Sequence, residues 1–203
     1  MTKTLKMLVF ILLVVSAFPA AGAAQAPECK YQENTVDKFT KKKMVWTKWN
    51  HTISWFNESA HNVNGYVSVI AEGDETYLGI KIKFETKSRR KPTKDGLDNA
   101  VVVPDGAQLL ITMEDETAVR LNSDAEVHGK SSYSKPHSGI NHTPDYIVQT
   151  SAVLRYQMDA GALADLTNQG AIHVQLQEVN RDFHFEIDKK SMNDIKHAIE
   201  CIQ

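Results

Sequence analysis

The stretch that decides the fold is Thr76-Tyr77-Leu78-Gly79-Ile80-Lys81-Ile82-Lys83-Phe84-Glu85. Its apolar residues fall on every second position: Leu78, Ile80, Ile82 and Phe84 take one face, and Tyr77, Gly79, Lys81, Lys83 and Glu85 the other. A period of two over ten residues is the mark of a half-buried β-strand. Upstream, Tyr66 to Ala71 reads as a second strand and His51 to Phe56 as its partner. The Asn64-Gly65 dipeptide tolerates the positive φ of a type I′ turn, so it is expected to form the hairpin between them. Glu72 to Glu75 then turns the chain into the Thr76 strand.

Downstream the pattern continues. Val101 to Val103 ends at the turn Pro104-Asp105-Gly106. Leu109 to Met113 and Ala118 to Leu121 flank Glu114-Asp115-Glu116 as a hairpin. Ala125 to Tyr133 and Tyr146 to Tyr156 read as longer strands on either side of a polar loop at Ser134–Pro144. Between Met158 and Asn168, DAGALADLTN suggests a short helix or turn. The best-defined hairpin is Ala171 to Glu178 with Arg181 to Ile187. Ile172, Val174, Leu176, Phe183, Phe185 and Ile187 share a face only if paired residue numbers sum to an odd value. The sum 359 pairs Val174 with Phe185 and leaves a two-residue loop, Val179-Asn180; 361 is the fallback. Finally, Met192, Ile195, Ile199 and Ile202 recur at helical spacing within 189–202, with Asp188 or Ser191 available as the cap. One apolar stripe means that this helix lies on a sheet. The expected fold is therefore mainly β (α+β): a single antiparallel β-sandwich or curled sheet with a C-terminal amphipathic helix packed on it.

The first 23 residues belong to a different physical regime. Lys3 and Lys6 precede an unbroken apolar run from Met7 to Val15, and small residues follow, ending in Ala21-Gly22-Ala23. The run is shorter than the ~20 apolar residues needed to cross a bilayer. This is the layout of a cleavable signal peptide at 1–23, leaving a β-rich domain at 24–203 in the periplasm or secreted, with no membrane span. The whole chain of 203 residues has a net charge of −2. Removing 1–23, with two lysines and no acid, lowers it to −4. An acidic chain has no overall electrostatic footprint for nucleic acid. The basic runs Lys41-Lys42-Lys43 and Lys87 to Lys94 are local and read as solvated loops. The only two cysteines are Cys29 and Cys201. In an oxidising compartment they are expected to bond, clasping the two ends of the mature chain.

Glu33 to Thr40 (ENTVDKFT), followed by Thr47-Lys48-Trp49, resembles the N-x-x-D-x-F-T opening of a family of exported bacterial β-rich proteins. Tyr77-Leu78-Gly79-Ile80-Lys81-Ile82 is similar to that family's Y-L-x-[IL]-x-[IL] strand, and Phe185-x-Ile187 with the final helix is similar to its ending. Where the pattern carries glycine after F-T, this chain has Lys41. The resemblance implies export and a β-rich fold; the family has no assigned activity, so it implies no chemistry.

The residues themselves supply few reactive constellations. G-x-G-x-x-G, Walker, G-x-S-x-G, H-E-x-x-H and paired C-x-x-C sequences are all missing. No catalytic residue and no cofactor is assigned. His128, His137 and His142, near Asp124, Glu126 and Asp145, are weak candidates for a metal site. His173, His184 and Glu186 are expected to meet on the outer face of the last hairpin, as a surface site for an ion or a proton. Trp46, Trp49, Trp55 and Phe56 crowd the first strands. Trp46 and Trp49 have opposite parity, so one is expected to face out, where an aromatic ring stacks on sugar or anchors a partner. Asn50, Asn57 and Asn141 sit in N-x-[ST] sequons, surface acceptors in a eukaryotic host. The sequence thus points to a secreted or periplasmic non-enzymatic binding module for an unknown envelope or extracellular ligand. Alternatives are an envelope hydrolase with an unrecognised site and a histidine-based metal-binding protein. If the leader is cleaved as read, the intact mass of exported protein should correspond to a chain starting at Ala24; a species keeping 1–23 would indicate an anchor.

Overall fold

The computed structural model describes residues 28–57, 60–98, 100–134, 146–177 and 182–203. The expected leader at 1–23 and its expected cleavage site, His137, His142, Asp145 and the expected Val179-Asn180 loop lie outside the described residues. Thirteen strands are described: β1 (Tyr31–Val36), β2 (Lys43–Thr47), β3 (Asn50–Asn57), β4 (Ala60–Glu72), β5 (Glu75–Ser88), β6 (Val102–Val103), β7 (Gln108–Met113), β8 (Ala118–Asn122), β9 (Val127–His128), β10 (Lys130–Ser134), β11 (Tyr146–Met158), β12 (Ala171–Gln177) and β13 (Asp182–Glu186). Three helices are described: α1 (Lys94–Asp98), α2 (Ala160–Asn168) and α3 (Lys189–Glu200).

A curled antiparallel sheet runs β1-β2-β4-β5-β11-β10, with β3 also pairing β4. A four-stranded sheet runs β13-β12-β7-β8, and β6 pairs β9. The decisive strand behaves as its alternation requires. Leu78, Ile80, Ile82 and Phe84 are buried, and β5 pairs with β11 from Thr76 to Ser88. Phe84 and Phe183 meet with ring centroids 5.6 Å apart, so the two sheets share one continuous core. The opposite face of β5 is polar only in part. Tyr77 is buried and Gly79 has no room for a side chain: a Cβ there would lie 2.8 Å from Ser68 Oγ and 3.3 Å from the Trp49 ring.

The Asn64-Gly65 turn is corrected. Both residues lie inside β4, paired with Lys83 and Ile82. β3 ends at Asn57 and β4 begins at Ala60, and these two residues pair. Val63, Val67 and Val69 keep one parity straight through the dipeptide and are all buried, so burying that set overrode the local turn preference. β4 shares one edge between two partners, β3 along its first part and β2 at Ile70 to Glu72. Thr47 covers the changeover: its Oγ1 accepts the Val69 N–H at 2.8 Å.

β1 was not expected as a strand, because its residues are nearly all exposed and show no alternation. In the N-x-x-D-x-F-T stretch, Asp37 accepts hydrogen bonds from the N–H groups of Phe39 and Thr40 at the tip of the β1–β2 hairpin. The Thr40 N–H is the larger cause of a carboxyl held below the ordinary aspartate value. Lys41 adopts φ 61°, a left-handed conformation that favours glycine. The expected strand at Ala125 to Tyr133 is split. Gly129 passes so close to β6 that a Cβ would lie 3.0 Å from Val101 Cβ, and the chain changes partner there from β6 to β11.

The last hairpin takes the 359 register: His173 pairs Glu186, Val174 pairs Phe185 and Leu176 pairs Phe183. Ile172 is a correction. A register shift between Ala171 and His173 in the pairing with β7 buries Ala171 instead and leaves Ile172 40% exposed. α2 is capped by Asp159, which accepts the Ala162 N–H. α3 is capped by Asp188, which accepts the Ser191 N–H, and buries Met192, Ile195 and Ile199. Gly170, between α2 and β12, leaves no space for a Cβ beside Met192 Sδ, so α3 packs directly over backbone. Cys29 and Cys201 form the expected disulfide, with Cα atoms 5.6 Å apart across 172 residues of sequence. No helix among the described residues is long and apolar enough to cross a membrane.

Two core substitutions should move stability in opposite directions. Phe185→Ala removes a buried ring and should cost about 3–5 kcal/mol. The Tyr156 hydroxyl is buried with no partner among the described residues, and burial pushes its pKa up. Tyr156→Phe should therefore raise stability by about 1 kcal/mol, read from denaturant midpoints. A destabilised Tyr156→Phe would show that the hydroxyl is satisfied.

Candidate functional site

A groove of about 680 Å³ lies between the β2–β3 connection and α3. Thr47 to His51 form one wall, Glu28 and Lys30 one end, and Asp188, Ser191, Asp194 and His197 the helix side. The fold explains why these residues meet. Asp188 caps α3 at one end of the groove, and Cys201, at the helix's other end, is bonded to Cys29. Tyr31 OH donates to the Cys201 carbonyl at 3.1 Å, adding a second tie between the chain ends. Ser191 Oγ donates to the His51 carbonyl at 3.1 Å, fixing α3 against β3.

The two tryptophans do not divide between faces as opposite parity suggests. β2 ends at Thr47, so Trp49 lies beyond the regular strand and returns to the side of Trp46. Their rings meet edge-on with centroids 5.7 Å apart, and Trp46 Nε1 donates to Ser68 Oγ at 2.8 Å. Both rings are half-buried, and Trp49 lines the groove. The side chains of Trp55 and Phe56 lie outside the described residues. Asn50, in the first sequon, turns its amide to the Asp194 carbonyl at 3.5 Å on the groove wall. The Asn57 side chain and Asn141 lie outside the described residues.

His173 and His184 come together as the register requires. His173 Nε2 lies 3.4 Å from His184 Nδ1, and the ring centroids are 5.6 Å apart. Both are half-buried rather than freely exposed, while Glu186 is exposed. Among the described residues, the one set of three His, Cys, Asp or Glu groups with ligand atoms within 4.8 Å of one another is Cys29, His197 and Cys201. His197 Nε2 lies 3.6 Å from Cys201 Sγ and its Nδ1 lies 3.5 Å from Glu200 Oε2. The sulfurs are bonded to each other, and a metal is held by thiolates rather than by a disulfide, so this cluster is a clasp. Sequence reading found the two cysteines but not His197, whose place in the α3 stripe carries no separate signal.

His128 does not gather other histidines among the described residues. Its Nε2 lies 2.9 Å from Glu126 Oε1 on the surface. Asp124 faces elsewhere: its carboxylate is 3.2 Å from Arg155 Nε, and Arg155 also reaches Glu72 at 3.1 Å. That guanidinium stacks 4.0 Å from the Tyr77 ring centroid. Burial is the main cause that raises the Tyr77 hydroxyl, ahead of the Glu75 carboxylate it donates to.

No family model matches the chain, and neither a curated protein nor a solved structure matches it.

The hydrogen bond that His128 donates to the Glu126 carboxylate raises the His128 pKa above its ordinary value, with Asp98 adding to it. Because the folded value is raised, the attraction is fully present at acid pH and is lost as pH rises through the folded pKa. Proton NMR titration should find His128 above ~6.5. Glu126→Gln should bring it down; an unchanged value would place the cause elsewhere.

Proposed function

We propose that the chain is a secreted or periplasmic non-enzymatic binding module that takes a small polar ligand, of the kind a sugar presents, in the groove along α3. The groove's make-up carries this reading: about 680 Å³ of open space in which the half-buried Trp49 ring stands among carboxylates, lysines and imidazoles. That volume lies within the range of ordinary ligand sites, roughly 300–1,000 Å³. An aromatic ring offers an apolar stacking surface, and Asp188, Asp194 and His51 surround it with hydrogen-bonding groups. The cross-linked wall supports binding because a site held in place loses less freedom when it closes on a ligand. The disulfide agrees with a location outside the cytoplasm.

The test uses the disulfide-intact protein and a panel of neutral hexasaccharides, namely cello-, chito- and maltohexaose. At least one should move the Trp49 indole N–H resonance saturably and remain intact on long incubation. Trp49→Ala and Asp194→Asn should each weaken binding about tenfold, a loss of ~1.4 kcal/mol. No saturable shift with any of the three would overturn the groove reading, and cleavage of the bound saccharide would make the chain a hydrolase.

A further inference from the structure

Beyond the groove, the outer face of the curled sheet carries a line of cations that nothing in the core requires. On β5, Lys81, Lys83 and Lys87 point to this face with Glu85 between them, and Lys130 of β10 joins them because Lys130 and Lys83 both pair with Ser151 of β11. Three cations from β5 and one from β10 against one acid make this strip net positive on a chain whose total charge is −2. Among the described residues these ammonium groups have no carboxylate partner within ion-pair distance. Aromatic rings flank two of them instead. Lys81 Nζ is 5.5 Å from the Trp49 ring centroid and 5.8 Å from that of Tyr66, and Lys83 Nζ is 5.7 Å from Tyr66. All three distances are within the ~6 Å reach of cation–π attraction. Between Lys83 and Lys130 lies a second recess of about 380 Å³, lined by the amide or hydroxyl groups of Asn64, Ser132, Gln149 and Ser151 and by Glu85. Glu85 is engaged: Gln149 Nε2 donates to its Oε1 at 2.8 Å.

The geometry points to a binding track for an acidic polysaccharide, a linear glycan bearing carboxylate sugars, running along β5 from Trp49 toward the basic segment at Lys87. Its length follows from the strand. The six residue-to-residue steps from Lys81 to Lys87, at ~3.4 Å each, span about 20 Å, enough for several sugar units. Each part of the track matches part of such a chain. Lysines at alternate positions meet spaced carboxylates. The Trp49 and Tyr66 rings meet sugar faces. The amides and hydroxyls of the recess meet sugar hydroxyls, as does the Glu85 carboxylate, which a pure polyanion such as nucleic acid would find repulsive. The inference rests on the binding-module reading, but apart from Trp49 it uses residues outside the groove.

Affinity electrophoresis and calorimetry on the disulfide-intact protein decide it, with polygalacturonate, alginate and hyaluronate as acidic probes. Fully methyl-esterified polygalacturonate serves as the neutral version of the first, and a single-stranded oligodeoxynucleotide as a polyanion without sugar carboxylates. At least one acidic glycan should bind, more weakly as salt rises, and at least tenfold more tightly than the oligonucleotide. Lys83→Gln combined with Lys130→Gln should weaken that binding at least tenfold and leave hexasaccharide binding in the groove unchanged. Lys196→Gln, on α3, should change neither. The inference fails if none of the three acidic glycans binds, if the double variant binds as well as the parent, or if the oligonucleotide binds equally well. It also fails if the methyl ester binds as tightly as the free acid. Each of these results leaves the groove reading to stand or fall on its own titration.

Discussion

The rest of the structure depends on the antiparallel pairing of β5 with neighbours on both edges. β11 runs beside it over thirteen consecutive residue pairs, and β4 covers most of the other edge. Two edges satisfied at once leave β5 no freedom of register, because a slip of one residue would carry Leu78, Ile80, Ile82 and Phe84 out of the core. That fixed inner row is the surface to which the four-stranded sheet and α3 are fitted. The outer row is fixed by the same stroke. At Gly79 the absence of a side chain leaves room for the Trp49 ring, which therefore lies against β5 beside Lys81. The order of the core and the order of the outer face are therefore one constraint expressed on two sides.

Most of this was legible because period two and period 3.6 are physical necessities for half-buried elements. The TYLGIKIKFE strand and the β12–β13 register emerged from parity, the stripe of α3 from helical spacing, and the hairpin of β7 and β8 from its acidic turn. Errors arose where a local preference met a larger demand. Asn64-Gly65 is a good turn, but Val63, Val67 and Val69 needed one uninterrupted face. Ile172 had the right parity in its pairing with β13, yet the bulge opposite β7 turned it outward. β1 carried no alternation because it lies at a sheet edge, tied down by the disulfide and the Tyr31 hydroxyl rather than by burial.

The candidate site was less legible for a related reason. The groove joins Glu28 and Lys30 to residues 47–51 and to α3, three parts of the chain brought together only by the clasp and the helix docking. No spacing rule connects such distant residues. The sequence did single out Trp49 and the two cysteines; Trp49 and Cys201 line the groove, and Cys29 is bonded to Cys201. It also singled out the histidines, of which His173 and His184 come together on the opposite sheet. The cation row on β5 was visible as the polar half of an alternation. Its aromatic neighbours on β4 and after β2 needed the pairing to place them.

The clasp has a topological consequence. A bond between residues 29 and 201, with Cα atoms 5.6 Å apart, makes the folded chain a ring. A short peptide linker would span the same gap between residues 29 and 201. Circular permutants opened at an exposed hairpin tip, such as Gly73-Asp74 between β4 and β5, would keep every strand pairing intact. They would also carry the old termini as an internal loop beside the groove. Opening the ring there separates two roles that the disulfide now combines, holding the ends together and shaping the wall beside Trp49.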